Sequence, residues 1–459
     1  MDDTTRFLVD TALSSRYDRL PEDVVHEARR RIVDTFACAI GAWHEPVSAM
    51  ARKVAERAGG GPGALSTVWG CDWKTTPEAA AFANGTMLRF LDVSDMYRVK
   101  SGGHPSDVIA PIITVAEAMA CNGAAVIAAV TLAYDVYCGC CDSIDLNSMG
   151  WDQPVYGVVA AAVGVGRLLH FSPEEMGNAI ALALVPNMAL YQTRRGELSG
   201  WKGSAAAYAS RNAIFAALLA QDGFTGPTAI FEGDCGLFDI VGRFDWLIPD
   251  GKTDAHRICR THMKCFPVCY HGQSPAWASL ELRERLGSVP LARIHVETYQ
   301  QAYDAMASDA SRWAPKHRET ADHSLPYVVG NALRDGEISS ASFAADRLED
   351  PAMLELMRKI SVEVSPELSR LYPESAPCRI TVETMTGACH VAEVRYPRGH
   401  VELALDDRDI DTKFRAMFRE HGGAGRCEAA LRALWSLDRA TDIGTVLRLL
   451  ARTSGDAGV

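Results

Sequence analysis

The sequence predicts a mainly α fold: a large all-helical domain formed by both chain ends, with a smaller α+β lid domain inserted. Three observations carry this. Apolar residues recur every three or four positions through most of the first 260 residues, which is the helical period. After about residue 265 the pattern changes to short β-branched runs that alternate apolar with polar residues, interspersed with helical stretches. From Asp409 to Ala451 the helical period returns. These changes place the helical domain at 1–266 plus 404–459 and the α+β domain at 267–403.

Val24, Val25, Ala28, Ile32, Phe36 and Ile40 mark one face of a helix. Pro21-Glu22-Asp23 suit its first turn, where proline lacks no needed donor and acids meet the helix dipole. Further helices are predicted near 47–58, 77–90, 107–121, 124–141, 155–169, 173–188 and 204–221. Those at 124–141 and 204–221 are Ala-rich and almost uncharged, as helices buried on all sides are. Gly59-Gly60-Gly61-Pro62-Gly63 reads as the turn after a helix, since a phosphate loop would follow a strand. Strands are expected at 293–298, 360–364 and 379–384, and 391–396 pairs as a fourth through a Thr386-Gly387 turn. Helices near 273–286 and 324–333 lie between them, and 453–459 reads as a frayed tail.

Composition narrows the function. The 459 residues carry 46 Lys+Arg against 58 Asp+Glu, a net charge of -12, with no basic stripe, which argues against nucleic acid. An anionic substrate would need cations concentrated locally. Thirteen cysteines, an odd number, sit inside apolar runs such as Cys138, Cys140 and Cys141, and no signal peptide is apparent. Free thiols and a cytoplasmic setting are therefore expected. The most apolar stretch, Val108 to Tyr134, carries Glu117 and breaks at Asn122-Gly123, so two buried helices explain it better than a membrane span.

The densest polar group is Asp92, Asp95, Tyr97, Arg98, Lys100, His104, Ser106 and Asp107, between two helical runs. A carboxylate beside an imidazole makes an acid–base pair near neutrality, while a solvated loop with Ser106 or Asp107 capping a helix explains the same residues. Lys202 stands at the start of an apolar helix, where backbone N–H groups and an ammonium form an anion site with Arg194 and Arg195 nearby. The alternative is a surface lysine lying past Trp201. His256, Cys259, His262 and Cys265 invite a metal reading, but on a continuous helix the first and last fall on opposite faces, so no metal is expected. Lys264, Tyr270 and His271 surround Phe266-Pro267 at the domain junction, a common ligand site. A Gly-x-Ser-x-Gly elbow is missing, which removes support for serine-hydrolase chemistry.

Six ordered segments resemble the MmgE/PrpD family, whose activities include 2-methylcitrate dehydration and cis-aconitate decarboxylation. They are 90–97 with 104–107, 150–157, 192–202, 223–227 with 231–233, 264–271, and 321–327. The resemblance implies a helical domain with an α+β lid, a site between them, and a homodimer. It also implies small di- or tricarboxylate substrates and no redox cofactor. It suggests Asp92 and His104 for proton transfer, Lys202 and Lys264 for substrate carboxylates, and His271 and Tyr327 from the lid. Asp95, Tyr97, Gln153, Arg195 and His323 are the further substrate contacts. The chain departs from the family pattern at Met96, where a hydroxyl is usual, at Gln153, where histidine is usual, and at Cys269, where many relatives carry glutamate. The expected activity is dehydration of a 2-methylcitrate-like hydroxy acid. Decarboxylation of a cis-aconitate-like acid, epimerisation next to a carboxylate, and an inactive ligand-binding relative are the alternatives.

Overall fold

In the computed structural model, residues 1–459 are described except 60, 64, 251–253 and 453–459. The expected fraying of 453–459 and Gly60 of the glycine turn lie outside the described residues. The helices begin with α1 (Asp3–Ser14), which the apolar pattern did not single out, and α2 (Glu22–Gly41). Pro21 stands at the α2 N-cap with Glu22 and Asp23 in the first turn. Next come α3 (Pro46–Ala58), α4 (Pro77–Phe90), α5 (Ile109–Ala118) and α6 (Gly123–Ser143), then α7 (Pro154–Leu168), α8 (Pro173–Leu184) and α9 (Ala205–Gln221). Asn122 breaks the long apolar stretch by accepting from the Ala125 N–H at 2.8 Å, the cap that starts α6. α6 is long and apolar enough to cross a membrane, but 89% of its most apolar window is buried against neighbouring parts of the chain.

Two stretches differ from expectation. The helix predicted from 107 begins as a 3₁₀ turn, Pro105–Val108, because Pro105 sets that turn's first residue. Residues 222–250 and 254–256 are mostly irregular, holding one short helix at Leu237–Val241, since glycines, prolines and aspartates interrupt the period there.

In the second half, α10 (Gln273–Leu286) and α11 (Leu325–Asp335) flank strands β1 (Leu291–Thr298), β2 (Ile360–Val364), β3 (Cys378–Thr384) and β4 (Cys389–Val394). The sheet order is β2-β1-β3-β4. β1 runs parallel to β2 and antiparallel to β3, which pairs antiparallel with β4. Alternation along β3 puts Ile380 and Val382 into the core, as the period of two requires. The chain returns to helix with α12 (Asp407–Phe418) and α13 (Ala424–Trp435).

The buried apolar residues form two main cores. One runs from Leu8 to Met263 and resumes at Leu405, because α12 packs on α2. The other holds Val268 to Ala392 around the sheet. The fold is thus mainly α with a small α+β region.

Candidate active site

Between the two cores lies a cavity of about 240 Å³. This is below the range of drug-sized pockets and suits a small metabolite. At its floor is Asp92, just past the end of α4 and held at φ 52°, in the left-handed region that Asp tolerates better than most residues. That turn aims its carboxylate into a ring of cations. Asp92 Oδ1 lies 2.8 Å from Lys264 Nζ and 3.0 Å from an Arg89 guanidinium nitrogen, and Oδ2 lies 3.3 Å from Lys202 Nζ. Burial pushes this carboxyl up, but Lys202, Lys264 and Arg89 outweigh it and hold it well below the usual range. A carboxylate so stabilised stays ionised and is a poor base.

His104 enters from the next loop. Its Nδ1 is 2.6 Å from the Asp95 carbonyl oxygen. A carbonyl only accepts, so Nδ1 carries the hydrogen. Nε2 faces Asp92 Oδ1 at 3.8 Å. Burial, then Arg89 and Lys264, drive the pKa of His104 well below its ordinary value, which keeps the ring neutral and leaves Nε2 a free lone pair. Gln153 fixes this loop: its Oε1 accepts from the His104 backbone N–H at 3.0 Å and from the Tyr137 hydroxyl at 3.1 Å. Its amide nitrogen donates to Asp107 Oδ2 at 3.2 Å. Asp107 is therefore a buried partner rather than a cap, and burial pushes its carboxyl up to about 7.

Lys202 sits in the 3₁₀ turn Gly200–Gly203 just ahead of α9 and is 2% exposed, so it is not a surface lysine. It also reaches Asp322 at 3.3 Å. His271, in the turn before α10, shares a 2.6 Å hydrogen bond through Nδ1 with the Tyr299 hydroxyl. Burial, then Arg98, keep it well below the ordinary imidazole value. Arg195 is exposed at the cavity mouth, its guanidinium 5.3 Å from the Tyr191 ring.

Of the residues named from sequence, Asp92, His104, Lys202, Gln153, Arg195, His271 and His323 line the cavity, with Lys264 buried directly behind Asp92. Three others do not line it. The Tyr327 hydroxyl donates to the Ser342 carbonyl at 2.7 Å within the second core. The Tyr97 hydroxyl donates to Asp142 at 2.7 Å. Asp95 accepts from Tyr134 and from the Ser106 N–H, so its side chain braces the loop while its carbonyl orients His104.

Arg98, Arg194 and Cys269, noted in the sequence, also line the cavity, and the structure adds Arg89. One nitrogen on each of Arg89, Arg98 and Arg194 is buried without a hydrogen-bond partner. Sequence shows that arginines are present, but not which of their N–H groups the fold leaves unpaired. Arg194 is held in place by Asp152 at 3.1 Å and by the Lys202 carbonyl at 3.0 Å.

Asp92, Asp322 and His323 offer ligand atoms within 4.8 Å of one another. Lys202 Nζ already lies 3.3 Å from an oxygen of each carboxylate, so an ammonium supplies the positive charge there. The His256–Cys265 segment is not the continuous helix assumed above. It has one 3₁₀ turn at Arg257–Arg260 and is extended after it. His256 is taken by Asp135 at 2.6 Å, and His262 Nδ1 accepts from the Val401 N–H.

A helical body and an α+β portion thus flank a cationic cavity. The family models agree: the MmgE/PrpD N-terminal domain matches residues 6–245 and the C-terminal domain matches 266–438. The chain belongs to the MmgE/PrpD family. It is 25% identical to a cis-aconitate decarboxylase-like protein of Aspergillus oryzae, covering 94% of each chain. It is 26% identical to the cis-aconitate decarboxylase of Aspergillus terreus, covering 94% of this chain and 93% of that one. It is also 26% identical to the 2-methylcitrate dehydratase of Cupriavidus necator, over 81% of each chain. Dehydration and decarboxylation are both lyase reactions, and the chain is an enzyme of that class.

Proposed function

We propose that the enzyme removes water from a small hydroxy di- or tricarboxylate, of which 2-methylcitrate is the model, to give an unsaturated acid. The observation that carries this reading is the set of cationic side chains, Arg89, Arg98, Arg194 and Lys202, that lines a cavity of metabolite size. Guanidinium matches carboxylate geometry and can hold it through two hydrogen bonds. The same positive field lowers the cost of charge developing on a substrate carboxylate when the neighbouring carbon loses its proton. His104 Nε2, neutral and unprotonated, is the base for that proton. Asp92 holds the cations in place rather than moving protons.

Decarboxylation is the second reading, favoured by the 94% coverage of the decarboxylase relative against 81% for the dehydratase. A panel containing 2-methylcitrate, citrate and cis-aconitate, followed by product NMR in deuterated water, separates the two. The expected result is loss of water, with turnover reduced at least about a hundredfold in His104→Ala. Carbon dioxide release would replace the first reading with the second, and full activity of His104→Ala would remove the base assignment. We also propose a cytoplasmic homodimer, with neither nucleic acid nor membrane as partner. Support for the dimer comes from Trp201, Tyr208 and Phe215, which present 46%, 43% and 49% of their surface along one side of α9 and the turn before it.

A further inference from the structure

Two groups in the cavity have no part in the chemistry above, the thiol of Cys269 and the imidazole of His323. They sit on neighbouring segments tied together by the Cys269 N–H, which donates to the Asp322 carbonyl at 2.9 Å. His323 Nδ1 lies 2.6 Å from Asp322 Oδ1, and an ionised carboxylate only accepts, so Nδ1 carries a hydrogen. That leaves Nε2 for the cavity, where it lies 3.7 Å from Asp92 Oδ2. The Cys269 side chain lines the same cavity and interacts electrostatically with the ring.

We infer that His323 is the acid that protonates the departing oxygen, oriented by Asp322 with Cys269 beside it. The inference rests on the dehydratase reading. The groups facing the ring are the Asp322 and Asp92 carboxylates and the Cys269 thiol on one side, and Lys202 and His271 on the other, with Lys264 across Asp92. Burial and Lys202 favour the neutral ring, Cys269 and Asp322 oppose them, and the outcome is a pKa above the ordinary imidazole value. Burial pushes the Cys269 thiol up, but His323 more than compensates and brings it below the ordinary thiol value. The site thus shifts one histidine towards its neutral form and another towards its charged form, the arrangement that lets base and acid work at the same pH.

In the step, His104 Nε2 takes the proton from the carbon next to a carboxylate, and the C–H electron pair becomes the new C=C bond. The C–O bond on the adjacent carbon breaks with its pair on oxygen. That oxygen takes the Nε2 proton of His323 and leaves as water. His104 ends protonated and His323 neutral, and exchange with solvent resets both. His323 is the catalytic residue, and Cys269 is a positioning residue that acts through it.

The test is the pH profile of kcat/KM on the member of the carboxylate panel that turns over, joined to NMR titration of the histidine ring signal that His323→Gln removes. His323→Gln is expected to lower kcat about a hundredfold with KM little changed, and to remove the alkaline limb. Cys269→Ser should move that limb about one unit towards acid, a tenfold loss on the alkaline side, while Cys269→Glu keeps it in place. In the wild type the His323 signal should titrate above pH 6.5, and lower in Cys269→Ser. A wild-type kcat in His323→Gln, a His323 signal titrating below 6.5, or a Cys269→Ser profile superimposable on wild type would each overturn the inference. Any of these alongside normal wild-type turnover leaves the dehydratase reading intact, whereas a wild-type enzyme inert on the whole panel removes both.

Discussion

Asp92 ties together most of the residues that matter. Its carboxylate is buried and balanced by Lys264, Lys202 and Arg89, so removing one partner leaves charge poorly compensated in a low-dielectric setting. Lys264→Met is expected to destabilise the fold by about 3 kcal/mol, the low end for breaking a buried pair, because two cations remain. Urea unfolding measures this, and Asp92→Asn in the Lys264→Met background should recover part of the loss. An additive double variant would show that the two side chains do not interact. The segments bearing Asp92, His104, Lys202, Lys264, His271 and His323 were legible in the sequence, because polar residues clustered beside apolar runs and in recognisable motifs. Tyr327 was misplaced because a motif fixes its position in the chain but not the direction of its hydroxyl, which Ser342 takes. The part played by Cys269 was hidden because it depends on His323, 54 positions away in sequence.

Elements bring those residues together by crossing closely. α4 ends at the Arg89–Asp92 turn, and α9 starts just after Lys202. Where they cross, a Cβ on Gly85 would lie 2.9 Å from Ala207 Cβ and 3.1 Å from its Cα. The backbone of α9 cannot retreat from that contact as a flexible side chain would. Gly85→Leu is therefore expected to cost about 3 kcal/mol or more, seen as a lower Tm, and to reduce activity by spreading the two site-bearing helices. Gly85→Leu with unchanged Tm and turnover would show that the crossing has slack. The sequence pattern revealed these helices through their Ala-rich, uncharged surfaces and the strands through their alternation. It missed 222–250 and 254–256, where few apolar residues recur at any period, and it misjudged the ends of elements, which caps and prolines decide locally.

For the molecule as a whole, the net charge of -12 coexists with a cavity rich in guanidinium and ammonium groups, so overall charge did not report the sign of the cavity. The interruption of one core by the other was legible because the repeat pattern changed from helical to alternating and back. Light scattering is expected to give twice the chain mass, and Tyr208→Glu with Phe215→Glu should reduce it to a single chain; a single-chain mass for the wild type would remove the dimer. One contact in α12 has a further consequence. Lys413 Nζ pairs with Asp34 at 2.6 Å and donates to the carbonyls of Val93 at 2.8 Å and Lys264 at 3.0 Å. It clasps the two loops that present Asp92 and Lys264, although it lies about 90 residues beyond the last cavity-lining side chain. A nascent chain that ends before Lys413 therefore carries every side chain of the cavity but lacks the ion pair and two hydrogen bonds that fasten these loops.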